Sequence, residues 1–171
     1  MGKDLQLEEE SSDRSALCYL LDCARTKQVF DRYFRALDEK NFDESHLQEL
    51  FTVDARITRP NGSFLVGPKE IGDSQTKSFA RFRNTQHILT GHDVEIDGDT
   101  AAIRANMIAI HVWKDSPTAE RDLLKSSFVA GGVITAKLLR SPDGRWRLSS
   151  LESRIIWRAG SFGNMLETNK L

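Results

Sequence analysis

The sequence predicts an α+β fold, helices first and antiparallel strands after, and three observations carry that expectation. Apolar residues recur at helical spacing early in the chain, period-two alternation dominates later, and short turn signals punctuate the alternating stretches. From Asp13, read as an N-cap, Leu17, Leu20, Leu21 and Ala24 share a helical face. The pattern resumes at Phe30, Tyr33, Phe34, Leu37 and Asp38, giving one bent helix or two consecutive ones. A short helix is expected over Glu44–Leu50 and another over 68–81, behind Gly67-Pro68. Strands over 55–58 and 63–66 flank Pro60-Asn61-Gly62, and Asp97-Gly98-Asp99 separates Val94-Glu95-Ile96 from a long run over 101–113. Ser141-Pro142-Asp143-Gly144 joins two further arms, 126–139 and 145–157. Helices of this kind cover one face of a curved sheet.

With 171 residues, 39% hydrophobic and three Trp, the chain supports one core and is short for two. The domain is expected over 13–160. Residues 1–12, with Glu8-Glu9-Glu10 and Ser11-Ser12, carry too little apolar surface to offset ordering entropy and read as a flexible acidic tail, and 161–171 read as a second tail. Net charge is −1 and the basic residues are scattered among acids, so nucleic acid is not an expected partner. No apolar run approaches the roughly 20 residues that span a bilayer, and no secretory pattern opens the chain. The expectation is a cytoplasmic protein without a membrane partner. Cys18 and Cys23 form neither a CxxC pair nor a zinc knuckle and read as buried free thiols. His46, His87, His92 and His111 make no dense ligand motif, so no metal is expected.

Asp38 falls on the same helical face as Phe30, Tyr33, Phe34 and Leu37. Either a donor or cation meets it there, since an unpaired buried carboxylate costs several kcal/mol, or the apolar face stops at Leu37 and Asp38 is exposed. His87 opens what reads as an entering strand. A carboxylate partner would fix its tautomer and raise its basicity, as a general base requires; the alternative is a core histidine bonded to a carbonyl. His111 alternates with Ile103, Ala105, Met107, Ala109 and Trp113, entering a pocket or lying inert at the far end of the sheet. Arg154, taken with Trp146, Leu148 and Ile156, is a cation in apolar company, suited to an anionic group or to an ion pair. Tyr33 is a proton donor or a packed core residue.

The stretches Tyr33-Phe34-Arg35-Ala36-Leu37-Asp38, Phe42-Asp43 and Leu50-Phe51-Thr52-Val53-Asp54-Ala55 resemble the opening of SnoaL-like proteins in the nuclear transport factor 2 superfamily. Gly67-Pro68-Lys69-Glu70-Ile71, Thr85-Gln86-His87, Asp97-Gly98-Asp99-Thr100-Ala101, Gly131-Gly132 and Asp143-Gly144-Arg145-Trp146-Arg147-Leu148 follow in the order that family keeps. The resemblance covers roughly residues 26–160. It implies a cone-shaped α+β barrel, NTF2-like or cystatin-like, that forms homo-oligomers, dimers or trimers. It also implies an Asp-His pair at Asp38 and His87, like that of scytalone dehydratase, hexachlorocyclohexane dehydrochlorinase and bile acid 7α-dehydratase. The last of these is similar in having a Tyr five residues before the Asp and an Arg in the last strand, matched by Tyr33 and Arg154. The second pocket histidine of scytalone dehydratase is matched by His111. The activity so implied is a dehydratase-like lyase or isomerase, without cofactor, acting on a small hydrophobic, ring-bearing substrate of polyketide, steroid or terpenoid kind, with Phe34, Trp113 and Trp157 as apolar walls. Natural-product cyclases, epoxide hydrolases and non-catalytic binding or assembly domains share the fold and remain alternatives.

Overall fold

A computed structural model describes residues 2–114 and 123–161, with side chains over 12–114 and 125–161. Helix α1 (Gly2–Glu39) is followed by α2 (Glu44–Leu50), strands β1 (Phe51–Thr58) and β2 (Phe64–Val66), and α3 (Gly67–Phe79). Four long strands come next: β3 (Phe82–Asp97), β4 (Thr100–Trp113), β5 (Ser127–Arg140) and β6 (Trp146–Gly160), with a single turn of helix, α4 (Leu123–Ser126), before β5. The six strands form one curved, unclosed sheet in the order β2-β1-β6-β5-β4-β3. The α+β expectation holds, with one correction. Strand β1 pairs parallel with β6, which side-chain alternation cannot reveal because it records faces and not partners.

Helix α1 is a single element. Residues Gly2–Ser12 belong to it rather than trailing as a tail, and Asp13 lies inside it rather than capping it. The residues Lys3-Asp4-Leu5-Gln6-Leu7-Glu8-Glu9-Glu10 are largely good helix formers, which continue a helix without needing a core to bury. The C-terminal tail expected over 161–171 lies outside the described residues beyond Ser161.

One sheet face carries the core. Alternate residues Ala101, Ile103, Ala105, Met107 and Ala109 of β4 point to the helices, where Phe30, Phe34 and Leu37 of α1, Leu47 and Leu50 of α2, and Ile71 and Phe79 of α3 bury against them. Each large side chain so buried contributes roughly 1.5–3 kcal/mol relative to exposure. Gly67, at φ 79°, makes the turn from β2 into α3, where an added Cβ would stand 2.9 Å from the Val53 carbonyl oxygen.

Four β-bulges in the long strands reset which side chains face the helices, between Phe82 and Asn84, between Thr90 and Asp93, between Leu148 and Ser150, and between Ile155 and Trp157. The first lets both Phe82 and His87 face the core, which strict alternation forbids.

Candidate active site

Asp38 sits in the last turn of α1 and His87 on the inner face of β3, in register with Ala109 of β4. The His87 Nδ1 and Asp38 Oδ1 atoms are 2.7 Å apart, and the His87 backbone N–H donates to Asp38 Oδ2 at 2.9 Å. Thr85 Oγ1 donates to Asp38 Oδ1 at 3.1 Å. Burial alone would raise the Asp38 carboxyl, but the hydrogen bonds from the His87 ring, the His87 backbone and Thr85 outweigh it and hold the group below its usual range. With Asp38 ionised, His87 donates Nδ1–H to it, and Nε2 is left as the nitrogen that can accept a proton.

The His87 side chain is 5% exposed, the Asp38 side chain 25%. Asp38 is therefore not fully enclosed. It opens on a groove of about 320 Å³ between α1 and β3, which also holds a second pair, His92 Nε2 with Asp31 Oδ1 at 3.0 Å. The His87 ring meets Phe34 at 5.6 Å, Phe79 at 6.2 Å and, edge-on, His111 at 5.4 Å. His111 stacks on Phe128 at 5.3 Å and lies 4.7 Å from Phe82, which in turn meets Trp113 at 4.8 Å. Burial, then the neighbouring His87, push the His111 imidazole down to about 4, so it is neutral at pH 7. Its buried Nδ1 has no hydrogen-bond partner among the described residues.

Phe34, His111 and Trp113 thus belong to one aromatic wall around His87. Tyr33 does not meet the pair directly. It packs on Phe34 and Phe51, its hydroxyl accepts from Gln75 at 3.0 Å, and burial raises its ionisation far above the usual phenol range. Arg154 and Trp157 are displaced from the positions the sequence assigned them. The bulge after Leu148 inverts the alternation, so Leu151, Ser153 and Ile155 face the helices while Arg154 is exposed on the outer face. The bulge after Ile155 then pairs Trp157 with Gly131, and its indole lies on the outer face where a Gly131 Cβ would point, 2.1 Å from the nearest ring atom. The same shift puts Arg158, itself exposed, at a position on the helix-facing side of β6, in one ladder row with Ala130, Ala109 and His87. Sequence reasoning missed it because it counted from Trp146 by twos, and no residue at Ser149 or Ile156 advertises a bulge.

Cys18 and Cys23 are free, as expected, but Cys18 is exposed and Cys23 only half-buried. Among the described residues no cluster of three or more His, Cys, Asp or Glu side chains is arranged to hold a metal ion. None of the helices described is long and apolar enough to cross a membrane.

Comparison with known proteins agrees with this architecture. The SnoaL-like domain family matches residues 19–152. A crystal structure of a protein from Kribbella flavida is 28% identical over 82% of this chain and 94% of its own, with a TM-score of 0.71. A hexachlorocyclohexane dehydrochlorinase from Novosphingobium barchaimii is 18% identical over 86% of this chain and 95% of its own, with a TM-score of 0.71. A scytalone dehydratase-like protein from Novosphingobium aromaticivorans is 18% identical over 85% and 95%, with a TM-score of 0.68. At 18% identity these two report the fold alone. No curated protein matches the chain. Because the family match spans most of the sequence, including the helix that holds Asp38 and the strand that holds His87, the chain belongs to the SnoaL-like domain family.

Proposed function

We propose that the protein is a dehydratase-like lyase or isomerase that works by acid–base chemistry on a small hydrophobic, ring-bearing substrate of polyketide, steroid or terpenoid kind. The observation that carries this reading is the 2.7 Å contact between Asp38 Oδ1 and His87 Nδ1, set against the ring wall of Phe34, Phe79 and His111. In this reading His87 Nε2 takes a proton from carbon next to an activating group, and the imidazolium that forms is stabilised through Nδ1–H by the Asp38 carboxylate. The electrons of the broken C–H bond form a double bond as a leaving group departs from the adjacent carbon. His87 then returns its proton to a departing hydroxide, or to another carbon in an isomerisation. Relatives named dehydratase and dehydrochlorinase support the lyase reading, because both names denote an elimination that breaks a C–H bond. Arg158, rather than Arg154, is the arginine that would hold a carbonyl or carboxylate of the substrate, and Tyr33 supports the Phe34 wall. Acid–base chemistry of this kind asks for no cofactor.

The test is a turnover screen over cyclic β-hydroxy ketones and related polycyclic alcohols, with wild type beside His87→Ala and Asp38→Asn. Wild type should turn over at least one compound class, His87→Ala should lose about 10²–10⁴ of that rate, the usual contribution of a general base, and both variants should keep the wild-type circular dichroism. Equal ligand binding by wild type and His87→Ala, with turnover in neither, would replace the enzyme by a binding module.

A further inference from the structure

We propose that Thr85 is a positioning residue, whose hydroxyl locks the Asp38 carboxylate in the orientation that His87 requires. This rests on the acid–base reading of the pair. An ionised carboxylate has about four acceptor positions, and here three donors reach it. The His87 backbone N–H holds Oδ2 at 2.9 Å, while the His87 ring and the Thr85 hydroxyl hold Oδ1 at 2.7 and 3.1 Å. Thr85 and His87 are two residues apart on β3, in register with His111 and Ala109 of β4, so both side chains leave the strand on the side where α1 ends. The bulge between Phe82 and Asn84 puts Thr85 on that side. A second acceptor, the Leu37 carbonyl oxygen, is 3.4 Å away, longer and uncharged, so the hydroxyl proton goes to the carboxylate. A β-branched side chain on a strand is stiff about χ1, which fixes the direction of the donor. Oδ1 thus carries two donors from a single strand, and rotation of the carboxylate away from the imidazole breaks both.

Thr85→Val preserves shape and removes the donor; Thr85→Ser restores it. Carbon-13 NMR of the Asp38 carboxyl, and the downfield proton resonance of His87 Nδ1–H, report the lock without any substrate. In Thr85→Val the Asp38 midpoint should rise by about one pH unit, the size of one hydrogen bond to a charged group, and the Nδ1–H resonance should broaden or move. Thr85→Ser should return both towards wild type. With a substrate in hand, Thr85→Val should lower kcat about tenfold with KM within about twofold. An Asp38 midpoint unmoved by Val, or a Ser variant that behaves as Val does, would overturn the inference. Retained turnover in His87→Ala would instead remove the acid–base reading, while the NMR comparison still decides whether Thr85 holds Asp38.

Discussion

At the scale of single residues, the site joins an ionised carboxylate to a neutral second histidine, and His111 makes a pH prediction. Unfolded, its imidazole titrates near 6.5; folded, near 4. Between those values the unfolded chain binds more protons, so stability falls as pH drops from about 6.5 to about 4, by roughly 3 kcal/mol for this group. His111→Phe, which keeps a ring against Phe82 and Phe128, should remove that slope, and urea denaturation at pH 7 and pH 4.5 measures it. Arginine gives a second test. Arg158→Ala should weaken binding of an anionic or carbonyl ligand about tenfold or more, as loss of a charged hydrogen bond does, while Arg154→Ala leaves it unchanged in titration calorimetry. The helical face of Asp38 could be counted from the sequence, but counting left its burial open, and only the family resemblance paired it with His87. Arg154 was misread because its strand is not regular.

At the scale of elements, the end of α1 and the start of β3 are fastened by one side chain. Lys40 follows the helix at φ 54°, a left-handed conformation uncommon for a residue with a Cβ, and its ammonium donates to the carbonyls of Phe82 and Arg83 at 2.6 and 3.1 Å. Those carbonyls flank the bulge that turns Thr85 and His87 inward. Lys40→Met should cost about 0.5–1.5 kcal/mol in chemical denaturation, the net worth of a hydrogen bond that water can partly replace, and should lower activity beyond what its stability loss explains. On β5, Gly131→Ala should displace the Trp157 indole, change its fluorescence and lower stability in chemical denaturation, and the stability loss should be relieved by Trp157→Ala in the double variant. Most elements were legible, since Pro60-Asn61-Gly62, Asp97-Gly98-Asp99 and Asp143-Gly144 mark strand ends by turn chemistry. Bulges were not, because an extra residue in a strand has no signature of composition. Nor was the first third of α1, whose acidic sequence carries no helical pattern of apolar residues.

At the scale of the whole molecule, α1 is tied to the distant β5–β6 turn. Asp22 accepts from Arg140 at 3.0 and 2.6 Å and from the Trp146 indole at 3.1 Å, and Arg140 also lies over that ring at 4.4 Å and reaches Asp99 at 2.9 Å. The pair is mostly shielded, so Asp22→Ala should destabilise the fold by about 2–3 kcal/mol with little dependence on salt.

The parallel pairing of β1 with β6 has a further consequence, one of timing. Phe51 finds Leu148, and Ile57 finds Leu151, across most of the chain's length. During synthesis at roughly 5–20 residues per second, the hairpin of β1 and β2 therefore waits several seconds or more on the ribosome before its second neighbour exists. For that interval β1 carries an unpaired edge, the state in which a nascent chain is open to capture by chaperones or by another strand.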